Sequence, residues 1–192
     1  MTDLFIPQRY TVLRDLRIAP HQSGRLYCFS SSSLYACGVA AVALGIARGM
    51  VTDFTELATE KTPRGMRQRL CENQVIQMQR AQAEARLGSA RAYLLSGLTE
   101  IWEAVGETGK LSLEQNATIR LASTWAIDQA REVVNILYHS AGATAIFDDR
   151  PFERRFRDMH TASQQAQGRQ SHYETIGRVL FSLAPDTPMF AF

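Results

Sequence analysis

The 192-residue sequence has few cysteines, little net charge and no long unbroken apolar run. Its three cysteines, Cys28, Cys37 and Cys71, form no C-x-x-C pair, and an odd number argues against a disulfide framework. They read as buried thiols of a reducing compartment. Lys and Arg number 21 against 19 Asp and Glu, a formal charge of +2. Such a balance gives no warrant for a nucleic-acid partner or a membrane surface. No continuous apolar stretch reaches the ~18 residues of a membrane span, and the N-terminus lacks the basic-then-apolar plan of a signal peptide. The expected location is cytoplasmic. Catalytic signatures are missing too: there is no H-E-x-x-H, no G-x-S-x-G and no P-loop. His21, His139, His160 and His172 show no metal-ligand spacing, so no metal site is expected.

What is present is helical periodicity, in a chain long enough for one domain with a sizeable core. From about Ser32 to Glu60, apolar residues at Val39, Val42, Ile46, Met50, Phe54 and Leu57 recur in steps of three and four. The serines before them offer N-cap hydroxyls, and Pro63 stops the helix. A second helix is expected from about Arg67 to Val105, with Val75, Met78, Ala81, Ala85, Ala92, Leu95 and Trp102 as its stripe. Ser112 and Gln115 have capping-box spacing and open a third helix, about Leu113 to Ser140, with Ile119, Ala122, Ala126, Ala130, Val133 and Leu137 inward. A fourth starts near Pro151, which suits a first turn, and runs to about Leu183. The fold class is therefore all-α: an antiparallel four-helix bundle over residues 29–192, preceded by a short extended segment. Arg154, Arg155 and Arg157 read as a solvated face paired with Glu153 and Asp158. Gln164, Gln165, Gln167 and Gln170 read equally as an exposed turn around Gly168.

Four short stretches, with an Ala/Gly-rich helix between the first two, resemble in order the C-terminal half of the acyl-CoA dehydrogenase superfamily. Asp3 to Pro7 match the D-x-F-x-P that ends that family's middle β-domain. Gln74, Gln77, Ala81, Ala90 and Arg91 match its second bundle helix. "HSAGATA" stands where Q-x-x-G-G precedes the last helix. Pro151, Glu153, Arg154, Arg157 and Asp158 reproduce P-x-E-R-x-x-R-D. The resemblance implies that residues 1–28 are the end of the middle β-domain and a linker. The family's N-terminal helical domain and most of its sheet have no counterpart, so a C-terminal module or the product of a truncated or split gene is expected.

The resemblance also implies a flavin, FAD or reduced FMN, held weakly or not at all by this chain alone. Its Q-x-x-G-G holds the ADP part of FAD, generally from a neighbouring subunit, and here His139, Gly142 and Ala143 stand at those positions. Small residues let backbone amides approach phosphate; Gly142 could equally be a helix C-cap. The family's R-x-x-F-G is altered at Pro63, Met66 and Arg67, with Arg64 adjacent and able to reach a phosphate. Dehydrogenases of the family place a Glu base in an E-G-T motif of the last helix. Here Ala166 and Gly168 stand at the Glu and Thr positions, and alanine accepts no proton. That departure favours the two-component flavin monooxygenases, whose last helix often reads R-D-x-x-x-x-S-Q-H. Arg157, Asp158, Ser163 and Gln164 match it, and Gln165 replaces the His. Gln164 and Gln165 are the candidate orienting residues. The expected partners are further copies of the chain in a dimer or tetramer, a separate N-terminal half, and a flavin reductase. Two alternatives stay open: a dehydrogenase-like protein lacking the usual base, and a non-catalytic helical assembly module.

Overall fold

The structure, a computed structural model, describes residues 3–11 and 23–186. Three long helices come first, α1 (Ser31–Glu60), α2 (Gln74–Thr108) and α3 (Leu113–Ala141); two shorter ones follow, α4 (Phe152–Gln164) and α5 (Ser171–Leu180). Local chemistry sets most of their ends. The Ser30 hydroxyl accepts from the Ser33 amide at 3.1 Å and opens α1. The expected capping box forms at α3, with the Ser112 amide donating to the Gln115 side chain at 2.8 Å and the Gln115 amide to the Ser112 hydroxyl at 3.2 Å. Helix α2 starts at Gln74 rather than Arg67, because the Asn73 side chain caps it, accepting from the Val75 amide at 2.9 Å.

Side-chain pairs give the directions. The Ser140 hydroxyl donates to Gln79 at 2.8 Å and Arg86 donates to Gln129 at 2.6 Å, so α2 and α3 are antiparallel. Helices α1 and α3 are parallel: Ser33 donates to Asn116 at one end (3.1 Å) and Lys61 to the Ala141 carbonyl at the other (2.7 Å). His160 bonds Asn135 at 2.9 Å and the Tyr173 hydroxyl donates to Asp128 at 2.8 Å, which sets α4 and α5 antiparallel to α3. Four rods thus alternate in direction, and the fourth is in two pieces. Helix α3 lies in the middle, packed against all the others.

Its predicted inward stripe is buried throughout, from Ile119 to Leu137. The stripes expected on the other two long helices need correction. On α1 the buried face is Ala36, Ala40, Ala43 and Ala47, followed by Met50, Val51 and Phe54, while Val42 is 58% exposed. Helix α1 packs directly against the alanine face of α3, where larger side chains would hold the backbones apart. On α2, Ala83, Leu87, Ala90, Leu94, Ile101 and Val105 face the core, while Val75, Met78, Leu95 and Trp102 are exposed. This helix carries two apolar stripes in steps of three and four, and periodicity cannot choose between them. By length and composition alone α1 could cross a membrane; here its alanine face belongs to the bundle core. The cysteines are free and half-buried rather than fully buried.

Residues 3–11 hold one 3-10 turn, Gln8–Tyr10, and no strand occurs among the described residues. The remainder of the expected extended segment, residues 12–22, lies outside them. A second turn, Arg25–Cys28, docks on the bundle: Arg25 pairs with Glu103 at 2.9 Å, and Phe29 stacks on Trp102 with ring centroids 6.0 Å apart.

Helices α1 and α2 are clamped by Arg48, which grips both oxygens of Glu84 at 2.8 Å, with Arg80 adding a bond at 3.0 Å. Arg48 foremost holds the Glu84 carboxyl down to about 2 from its usual 4.5. The folded value lies below the unfolded one, so the stabilisation is full above pH 4.5 and is lost as pH falls toward 2. The carboxylate is half-exposed and screened by solvent, so Glu84→Gln should cost about 0.5–1 kcal/mol at neutral pH and almost nothing near pH 2. Denaturant titrations at the two pH values measure the difference.

Candidate functional site

The fourth rod, expected to be continuous from Pro151 to Leu183, breaks after Gln164 into a 3-10 turn, Ala166–Gly168, before α5 begins. Gly168 shows why. A Cβ there would stand 2.6 Å from the Ser163 carbonyl oxygen and 3.3 Å from the Ile127 side chain, so only glycine fits. The Gln165 side-chain oxygen accepts from the Gln167 amide at 2.6 Å and caps the turn. Arg120, 4% exposed on α3, donates to the side-chain oxygen of Gln167 and to the Ser32 hydroxyl of α1. His172 of α5 donates through Nε2 to the Ala166 carbonyl at 2.8 Å. Far from being an exposed turn, the break has Gln167 and Gly168 buried.

Burial pushes His172 below the usual histidine value, and the charges of Arg120 and Arg169 push the same way. The imidazole is thus neutral at pH 7 and acts as a donor to the break. Burial likewise pushes the Cys37 thiol up, beside Ser123 and Arg120. Asp128 secures α5, accepting from Gln170 at 2.9 Å and from the Tyr173 hydroxyl at 2.8 Å; burial, with Asp128 next, drives the tyrosine value upward.

The sequence-predicted site residues fall into two places. Gln164 and Gln165 are exposed at the break. Gln164 borders an open depression of about 580 Å³ along α4, with Glu153, Phe156, Arg157, His160 and Thr161. The arginine cluster next to it is largely the solvated face expected: Arg157 pairs with Glu153 at 3.2 Å and Arg154 with Asp158 at 3.7 Å. Arg155 instead turns inward over Gly49 to pair with Asp53.

Arg64, His139, Gly142 and Ala143 lie at the other end of the bundle, all exposed. Gly142 does end α3: its amide donates to the His139 carbonyl, at φ 62° and ψ −149°, a region open essentially to glycine alone. Lys61, three residues before Arg64, donates to the Ala141 carbonyl at 2.7 Å and the Thr144 hydroxyl at 2.8 Å, joining the end of α1 to this turn. Ile127, which touches Gly168, and Gly142 are separated by roughly 22 Å of helix at 1.5 Å per residue. One chain therefore does not bring the two groups together.

Arg120 and Lys61 were not singled out from the sequence, Gln167 read as part of an exposed turn, and His172 only as a histidine without metal-ligand spacing. The one available signal is the polar series Asn116, Arg120, Ser123 and Thr124 at helical spacing on α3. Isolated from the fold, such a series is indistinguishable from a solvent face.

Residues 37–169 match the acyl-CoA dehydrogenase C-terminal domain, and the chain belongs to that family. It is similar to an indole-3-acetate monooxygenase of Pseudomonas putida, 26% identical over 183 residues that cover 95% of this chain and 46% of that protein. A pigment production hydroxylase of Rhodococcus erythropolis is 25% identical over 141 residues, 73% of this chain and 36% of that protein. Among solved structures, XiaF from Streptomyces, in complex with FADH2 and glycerol, aligns with a TM-score of 0.80 at 19% identity, over 86% of this chain and 42% of that one. The HsaA monooxygenase of M. tuberculosis aligns with a TM-score of 0.75 at 21% identity, over the same shares. These likenesses establish the fold. The chain spans about half the length of the curated relatives that match it over nearly its whole length.

Gly168→Ala should cost about 1–3 kcal/mol, the range for overpacking a tight contact, because the new methyl meets backbone rather than a movable side chain. Denaturant unfolding measures it; a change below a few tenths of a kcal/mol would show that the turn relaxes freely.

Proposed function

We propose that this chain is the C-terminal helical portion of a flavin-dependent monooxygenase that uses reduced flavin delivered by a separate reductase. The observation behind it is the chemistry of the helix break. Ala166 stands where dehydrogenases of the family carry their glutamate base, and the groups that pin the turn are Arg120, Gln167 and His172, with His172 donating its proton. Among the described residues no carboxylate shares those hydrogen bonds, which supports a site that does not work by α-proton abstraction. The monooxygenase and hydroxylase names of the curated relatives agree with this reading.

FAD suits the far end of the bundle. Gly142 leaves the following peptide uncovered, Ala143 adds only a methyl, and Lys61 and Arg64 bring positive charge for a phosphate. His139 stands where the family has Gln and keeps a donor and an acceptor. Reduced flavin, when bound, supplies the activation of oxygen. The chain's own task is to hold and orient: Gln164 and Gln165, exposed at the break, offer amides to the substrate. Because the two groups are far apart along α3, a complete site takes them from different copies, which favours a dimer or tetramer. It also favours weak flavin binding by a lone chain, since the relatives' remaining half supplies further contacts.

Two measurements test this. Titrated with FAD, the isolated chain should retain little flavin after gel filtration; stoichiometric yellow protein would contradict the reading. Joined to the N-terminal half of the Pseudomonas relative and supplied with reduced flavin, it should consume oxygen in the presence of an aromatic acid such as indole-3-acetate. It should not turn over butyryl-CoA with an artificial electron acceptor, since an absent general base forfeits ~10²–10⁴ in rate. Gln165→Ala should lower the product formed per oxygen while circular dichroism stays unchanged. Brisk acyl-CoA turnover would restore the dehydrogenase alternative.

A further inference from the structure

A further cavity lies apart from both groups of site residues. It has a volume of about 310 Å³ and opens between the last turns of α1, the first turns of α2 and the 3-10 turn that precedes α2, Leu70–Glu72. None of Arg64, His139, Gly142, Ala143, Gln164 and Gln165 lines it. Phe54 and Ala58, both buried, make an apolar floor, and half-buried Ile76 adds a wall. Such a space is at the small end of the range that takes organic ligands. Hydrogen bonds around it hold the walls in place. The Leu70 amide donates to the Lys61 carbonyl at 2.8 Å, Gln77 to the Cys71 carbonyl at 3.0 Å, and Arg80 Nε to the Thr55 hydroxyl at 3.0 Å. Small residues at Ala58 and Ala81 leave the space open, where larger aliphatic side chains would occupy it.

Two groups of the lining keep unused chemistry. Arg80 stands at the rim, with 34% of its side chain exposed. Thr55 and Glu84 engage its Nε and Nη1, while Nη2 makes no hydrogen bond among the described residues. The Cys71 thiol is free and half-buried. The charge at the rim can be counted. Arg48 and Arg80 both bond Glu84, whose carboxyl is held down to about 2 and is ionised at neutral pH. Two cations against one anion leave a single net positive charge beside an apolar floor. That charge, with one open N–H edge, suits a monoanion. A phosphate dianion would be left half compensated, and a neutral ligand would gain nothing from the cation.

We propose that the cavity between α1 and α2 is a binding site for a small aromatic carboxylate, its ring against Phe54 and Ala58 and its carboxylate on Nη2 of Arg80. Burial of the ring against Phe54 supplies affinity, and the cation fixes which way round the ligand lies. Thr55 points toward α2 here, while Asp53 pairs with Arg155 of α4 on another face of α1. The site uses neither the break in the fourth rod nor the turn at Gly142, so it goes beyond the functional reading above and does not depend on it.

Alkylation of Cys71 reports occupancy. With naphthoate present at millimolar concentration, N-ethylmaleimide should label Cys71 several-fold more slowly, while Cys28 and Cys37 react at unchanged rates. Peptide mass spectrometry resolves the three. Naphthylmethanol keeps the ring and lacks the charge, so it should protect roughly ten-fold more weakly, the worth of one hydrogen bond to a charged group. Arg80→Gln should bring naphthoate down to the level of the alcohol. Ala81→Phe leaves the Arg80 contacts intact and fills the space from an exposed position, so protection should vanish while circular dichroism stays unchanged. No protection of Cys71 by naphthoate, equal protection by the alcohol, or slowing of all three cysteines together would overturn the proposal. So would ADP protecting Cys71 as well as naphthoate does, since that would assign the cavity to a nucleotide.

Discussion

The guanidinium of Arg120 ties the working end of the bundle together. It is nearly buried on the middle helix, and burying a charge costs several kcal/mol unless hydrogen bonds replace the lost water. Ser32 at the start of α1 and Gln167 in the break of the fourth rod provide such bonds. Moving either away would remove part of the hydrogen bonding that replaces its lost water. The constraint therefore runs outward from α3: the first turn of α1 and the break between α4 and α5 must be in place together. His172 and Asp128 add bonds from α5 to the same region. A turn that would otherwise be a mobile surface loop becomes a fixed feature, and Gln164 and Gln165 stand on it at a set position.

Helix spacing is the second constraint. Alanine at Ala36, Ala40, Ala43 and Ala47 faces alanine at Ala122, Ala126 and Ala130, which lets α1 and α3 approach closely over their parallel run. Bulkier core residues concentrate toward one end, where Phe54, Phe152 and Met159 fill the space. Several large side chains of α2, among them Met78, Tyr93 and Leu95, stay outside that core.

Much of this was legible residue by residue. Ser30, Ser112 and Gln115 cap where their spacing says, because capping is a local exchange between a side chain and amides a few residues away. The stripe of α3 was legible because that helix is surrounded, and a surrounded helix shows its core in its composition. Family membership was legible in Pro151 to Asp158 and in Gln74 to Arg91. The two stripes of α2 were not separable, since each has the same period and only the position of α3 decides between them. A turn around Gly168 was legible, since Gln165 and the Ser163 carbonyl act locally, but its burial was not, because that depends on Ile127 and Arg120, more than 35 residues away in the chain.

The sequence by itself determined the helical segments, most of their caps, the all-α class and the absence of glutamate at the position of Ala166. These depend on local hydrogen bonding and on residue identity. The tertiary structure decided which face of α1 and α2 is core, that the break in the last rod is buried, and that Arg120 and His172 belong to the break while Lys61 belongs to the turn at Gly142. Each of these is a contact between distant parts of the chain, settled by which side chains fit together and which buried polar groups must be satisfied.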